Sequence, residues 1–133
     1  MRTSILYSFY IKDISIVKKK MIEIYDHVAI QFIKGNNEKD RPEIRLFRNL
    51  DGKKGKAVYK FNKPTTITLE NFKSVQKMYL IDSEGELSTK KIELSISEDH
   101  VKEVKSTFIW NSEKEFERFM RFASRYANSL FHN

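Results

Sequence analysis

The fold is decided by the last stretch of the chain, SEKEFERFMRFASRYANSL (residues 112–130). A serine followed three residues later by a glutamate forms a capping box, which is a common start of an α-helix. Apolar residues then recur at the spacing of one helix face, namely Phe116, Phe119, Met120, Ala123, Ala127 and Leu130. We therefore expect an amphipathic helix of about four to five turns whose apolar face lies on a sheet.

The body before this helix has the two-residue period of β-strands. Strands are predicted over residues 28–33, 44–48, 57–61, 77–82, 92–96 and 101–110. Residues 83–86 have the faint look of a calcium loop, but the ligand pattern fails and a tight turn is predicted instead. A short helix is predicted over 68–75, with Thr68 as its N-cap and Leu69, Phe72 and Val75 facing inward. The predicted class is α+β: an open antiparallel sheet of about four to six strands with the C-terminal helix packed on it.

Length and composition are those of one globular domain. The chain has 133 residues, 13% of them aromatic, and no cysteine, which excludes disulfides and thiol chemistry. The domain is predicted to span residues 27–133. Residues 1–26 are predicted to be an N-terminal extension, either disordered or partly translated from a misassigned start, with Met21 as the true first residue. The alternative is a basic arm on a membrane surface, because Lys18, Lys19 and Lys20 are consecutive.

Positive charge is concentrated in the first half of the chain. The net charge is +7, and residues 34–63 contain ten basic and four acidic groups. Such a basic half indicates an anionic partner surface, such as nucleic acid or a membrane-bound complex. On the predicted helix, Arg118, Arg121 and Arg125 fall opposite the apolar face, so they are expected to point outward, with Phe122 at the border. This arginine stripe is either a solvated face or an interaction surface.

The chemistry of catalysis and metal binding is missing from the sequence. The three histidines, His27, His100 and His132, are isolated, and none has a second ligand at metal spacing. No phosphate-binding glycine motif and no nucleophile elbow occurs. These absences favour a binding protein over an enzyme, and no cofactor or metal is expected. From the residues alone, a small nucleic-acid-binding module and a docking protein remain open, although no RNP-like aromatic motif is present.

Several blocks resemble one family. They are Ile30-Gln31-Phe32, Pro42 with Ile44-Arg45-Leu46, Met78-Tyr79-Leu80-Ile81-Asp82 and, most specifically, Arg118-Phe119-Met120-Arg121-Phe122. The chain resembles the photosystem II assembly factors of the Psb28 family, also called the thirteen-kilodalton or plastid W-type photosystem II protein. The resemblance runs over about residues 30–130 and leaves the first 26 residues outside it.

The resemblance implies a non-catalytic factor without a cofactor or metal, docked peripherally on the stromal or cytosolic face of the thylakoid membrane. Its partners would be photosystem II core and inner-antenna subunits, with no nucleic acid. A composition rich in AT-coded residues is typical of a plastid-encoded copy, with a cyanobacterial origin as the alternative. Docking is expected to extend an open sheet edge with a partner strand. The candidate partner-binding residues are Arg45, Arg48, Lys53, Lys54, Met78, Tyr79, Arg118, Arg121, Phe122 and Arg125.

Overall fold

The computed structural model describes the backbone of residues 4–10 and, in full, residues 27–131. Nine strands and one α-helix follow each other along these residues. They are β1 (Ser4–Tyr10), β2 (Ala29–Ile33), β3 (Asn36–Asn37), β4 (Glu43–Asn49), β5 (Gly55–Phe61), β6 (Met78–Asp82), β7 (Gly85–Thr89), β8 (Ile92–Ile96), β9 (Val101–Trp110) and α1 (Glu113–Ser129).

The strands form two antiparallel sheets. The first has five strands in the order β1-β4-β5-β9-β8, and the second has four in the order β3-β2-β6-β7. The helix α1 contacts strands of both sheets, β6 and β9. The predicted α+β class, antiparallel pairing and C-terminal helix are confirmed, while the strands are divided between two sheets.

The core is a single cluster to which both sheets and the helix contribute. Phe119, fully buried, lies at its centre, with its ring 5.4 Å from Trp110, 5.3 Å from Phe108 and 6.3 Å from Tyr59. Close packing also explains Gly55, since a Cβ there would lie 2.5 Å from the Trp110 ring and 2.3 Å from the carbonyl oxygen of Phe47. Aromatic side chains of the last strand and the helix therefore form the centre of the core.

The helix begins as the capping box predicts, with one change of partner. The backbone amide of Glu115 donates to the Ser112 hydroxyl at 3.1 Å. The Glu115 carboxylate accepts from the amide of Asn111 at 2.8 Å, one residue before the cap. The predicted inward face is correct for Phe119, Ala123 and Ala127, which are buried.

Two local predictions were wrong. Residues 68–75 contain only a 3₁₀ turn (Phe72–Ser74), and Leu69 is exposed. The predicted N-cap is correct: the Thr68 hydroxyl accepts from the Glu70 and Asn71 amides at 3.2 Å, and the Asn71 side chain accepts from the Thr68 amide at 2.8 Å, as in a capping box. The segment nevertheless ends after the 3₁₀ turn, because the backbone is already extended at Val75. The second is the omission of a strand: the turn predicted over residues 83–86 is present at residues 83–84, but β7, which follows it and pairs with β6, was not predicted.

The N-terminal prediction is only partly covered by the structure. Most of residues 1–26 lie outside the described residues, so the extension and the start at Met21 remain predictions. Within that range the structure describes one element, β1, paired with β4.

Candidate functional site

Three arginines of α1 meet two acidic residues of the β6–β7 hairpin. Both terminal nitrogens of Arg118 donate to the Asp82 carboxylate, at 2.9 and 2.7 Å. Arg125 donates to Asp82 at 3.0 Å and to Glu84 at 2.6 Å, and Arg121 donates to Glu84 at 2.7 and 2.9 Å. We call these five residues the arginine clamp, because they fasten the helix to the hairpin.

The clamp arises from local geometry on both sides. Spacings of three and four residues place the arginines on one helix face. Asp82 ends β6, and the tight turn after it puts Glu84 just beyond, with Gly85 at a positive φ of 130°. The Glu84 amide also donates to Asp82 at 3.0 Å.

The acids of the clamp are held ionised. Burial raises the pKa of Asp82, but hydrogen bonds from Arg118 and Arg125 outweigh it, so the pKa lies below its usual range. Hydrogen bonds from Arg121 and Arg125 lower the pKa of Glu84 to about 2. The clamp is therefore fully charged at neutral pH.

The expectation that the arginine stripe points outward was wrong for Arg118 and Arg125. The side chains of Arg118 and Arg125 are only 18% and 11% exposed, against 49% for Arg121. Helix periodicity places these arginines away from the core face but does not reveal that a hairpin covers them. The missed partners, Asp82 and Glu84, have one sequence signal: two carboxylates in a turn, opposite in sign to the stripe.

The other basic candidates lie on and beside β4. Arg45 is exposed and paired with Glu43 at 2.9 Å. Arg48 is partly buried, donates to the Gly52 carbonyl at 2.9 Å and lies over the Phe116 ring at 3.8 Å. It therefore anchors the β4–β5 loop to the helix. That loop presents two exposed lysines, Lys53 and Lys54.

The apolar candidates divide between core and surface. Met78 and Phe122 are fully buried, and Phe122 stacks on Tyr126 with the ring centres 5.8 Å apart. Neither offers surface to a partner, because both side chains face the core; the helix pattern had placed Phe122 at the border between the two faces. Tyr79 is partly exposed, with the Lys34 ammonium 4.5 Å from its ring centre.

A second buried acid, Glu38, organises the loop after β5. Its carboxylate accepts from the amides and hydroxyls of both Thr65 and Thr66 at 2.6–3.0 Å. Burial raises the pKa of Glu38, but these bonds outweigh it and the pKa is lowered. Nothing in the sequence pattern marks Glu38, because its partners Thr65 and Thr66 lie 27 and 28 positions further along the chain.

One group of residues has the composition of a catalytic triad but not its geometry. In the β8–β9 turn, the Ser97 hydroxyl and the Asp99 carboxylate both contact Nδ1 of His100, at 2.9 and 2.6 Å. A triad uses both imidazole nitrogens, one for each partner. These side chains therefore brace an exposed turn. No cluster of metal-ligating side chains occurs among residues 27–131.

Each sheet ends in strands that a partner could extend. The first sheet ends at β1 and β8, and the second at β3 and β7. In an antiparallel pair, backbone groups alternate between facing the neighbour and facing away, so β7 and β8 direct half of theirs outward. Within the part of the chain that is described, no helix is long and apolar enough to cross a membrane.

The fold and these surfaces define a small α+β protein built on two open antiparallel sheets clamped by a C-terminal helix. The model of the family described as Psb28 protein matches residues 30–130. The chain belongs to the Psb28 family.

Its similarity to individual relatives is high. It is 81% identical over 113 residues to the photosystem II reaction center Psb28 protein of Prochlorococcus marinus (strain NATL2A), covering 85% of this chain and 100% of that protein. It is 40% identical over 101 residues to the protein of the same name from Synechococcus sp. (strain CC9605), covering 76% of this chain and 80% of that one.

Proposed function

We propose that this protein is a non-catalytic assembly factor that docks peripherally on photosystem II intermediates, near the reaction-centre core and inner antenna. Family membership carries the proposal, since the relatives are named as photosystem II proteins. The relatives named above come from cyanobacteria, which favours the cytosolic face of the thylakoid over a plastid stroma.

The proposed mechanism is extension of a sheet edge by a segment of a photosystem II subunit. The supporting observation is that both sheets are open, so main-chain donors and acceptors remain available at their edges. Main-chain pairing would supply affinity, and side chains beside the edge would supply orientation.

Electrostatic steering is assigned to the exposed lysines of the β4–β5 loop. Lys53 and Lys54 have no ion-pair partner among the described residues, whereas the helix arginines are largely neutralised by the clamp. Unpaired surface charge of this kind raises encounter rates at low ionic strength.

The test is capture of photosystem II intermediates from detergent-solubilised thylakoids by immobilised protein. The doubly substituted Lys53→Glu, Lys54→Glu protein should capture less at low salt, with the difference shrinking as salt rises. The matched control is Lys73→Glu with Lys102→Glu, which makes the same change of charge at exposed positions elsewhere. Equal loss in both proteins would contradict the loop assignment. Recovery of RNA or ribosomes in place of photosystem II subunits would contradict the proposed function.

A further inference from the structure

The outer edge of β4 carries a strand from outside the family region. Residues of β1 pair one for one with β4, from Ser4 opposite Asn49 to Tyr10 opposite Glu43. The family match begins only at residue 30, so β1 is not part of it. An edge inside the family region is thus paired with a segment outside it.

The register shows which backbone groups of β4 face that strand. The Asn49 amide donates to the Lys54 carbonyl at 2.9 Å, so Asn49 is bonded toward β5. Because bonding alternates along an antiparallel pair, Phe47 and Arg45 are also bonded toward β5. The backbone groups of Ile44, Leu46 and Arg48 therefore face outward. Their partners in β1 are Phe9, Tyr7 and Ile5.

We propose that the β4 edge is the strand-accepting edge of this protein, and that in the chain translated from Met1 residues Ser4–Tyr10 occupy it before a partner binds. The occupant is an extended, uncharged segment of seven residues, which suits an edge that pairs through its backbone groups. A partner strand on the same edge would need the same outward-facing groups, so the two exclude each other. The inference rests on the proposed function insofar as the competing strand belongs to photosystem II.

Self-occupancy would lower the apparent affinity for a partner. Tethering raises the effective concentration of a segment to the millimolar range. A segment that binds in isolation with a Kd of about 100 μM would then leave roughly one edge in ten free. The partner's apparent Kd rises by the inverse of that free fraction, about tenfold.

The first experiment tests the occupant without photosystem II. It uses a shorter chain that starts at Met21 and keeps the residues of the buried core. This chain has 113 residues, the number that matches the full length of the Prochlorococcus marinus relative. A synthetic peptide of residues 4–10 should bind this chain in calorimetry. Methylating the peptide nitrogen of Tyr7, which faces β4, should weaken binding about tenfold, as expected for one lost hydrogen bond. Methylating that of Leu6 or Ser8, which faces away, is the matched control and should have little effect.

Amide hydrogen exchange tests the same contact in the full chain. The amides of Leu46 and Arg48 should be protected in the full chain and exchange faster in the chain starting at Met21. Those of Arg45 and Phe47, bonded toward β5, should stay protected in both. Equal exchange at Leu46 in the two chains, or no discrimination between the methylated peptides, would overturn the occupancy of this edge.

Binding to photosystem II intermediates then tests the competition. The chain starting at Met21 should bind about tenfold more tightly than the full chain, and added peptide should inhibit it. If both chains bind equally and the peptide does not compete, the partner does not use the β4 edge, although the proposed function stands. If neither chain binds while the peptide experiments succeed, the proposed function fails and the intramolecular pairing stands.

Discussion

Substituting Asp82 by asparagine should destabilise the protein strongly, because it leaves two arginines without their buried partner. The Asp82 side chain is fully buried and accepts three bonds from Arg118 and Arg125. Removing one partner of a buried ion pair costs about 3–5 kcal/mol. Glu84 still accepts from Arg125, so we expect the lower end of that range, about 3 kcal/mol. Out of a total stability of about 5–15 kcal/mol, that is a large fraction.

The assay is urea unfolding followed by circular dichroism. The midpoint should fall without a change of slope, and the melting temperature should drop by about 10 °C. The matched control is Glu86→Gln, which breaks the exposed pair with Lys34 on the same hairpin and should leave the midpoint nearly unchanged. A loss below about 1 kcal/mol for Asp82→Asn, or one no larger than the control's, would refute the idea that Asp82 is the buried partner of these arginines.

Three further predictions concern stability. Phe119→Ala should cost about 3–5 kcal/mol, because the ring is fully buried among aromatic neighbours; a melting temperature lowered by only a degree or two would show otherwise. Gly55→Ala should destabilise as well, because its Cβ would overlap the Trp110 ring and the Phe47 carbonyl; a chevron or melt equal to that of the parent would contradict this. Glu84→Gln should lower stability at neutral pH. The pKa of Glu84 is about 2 in the folded protein, against an ordinary value of 4.5. Its contribution to the free energy of unfolding is therefore complete above about pH 4.5 and is lost as the pH falls toward 2. The stability curves of the two proteins should converge near pH 2, and parallel curves would count against the prediction.

The elements that sequence reasoning predicted well are those whose signal is local. The alternation in β4, β5 and β8 and the periodicity of α1 each depend on neighbours within a few residues, and the structure confirms them. The Ser112 cap is likewise local. By contrast, the helix predicted from Thr68 begins at its cap but ends after one 3₁₀ turn, because the backbone is extended at Val75, and apolar spacing does not predict where a helix ends.

The candidate site was predicted less well because its decisive contacts are between distant residues. Arg118 and Asp82 are 36 positions apart, and a helical wheel shows only that the arginine is off the core face. Phe122 lay at the border of that wheel, yet it is fully buried and stacks on Tyr126. The position of the β6–β7 hairpin against the helix was therefore the missing information.

The clamp also changes where docking charge is to be found. A double substitution of Arg121 and Arg125 by glutamate, which the sequence alone would treat as a change of surface, places an acid against Asp82 and Glu84 and should unfold the hairpin contact. A loss of partner binding in that protein would therefore say nothing about recognition. Charge reversal at Lys53 and Lys54 leaves every ion pair described here intact, so it separates docking from stability. If salt weakens docking in the parent but not in that lysine variant, the steering charge lies on the β4–β5 loop; if salt acts equally on both, it lies elsewhere on the basic surface.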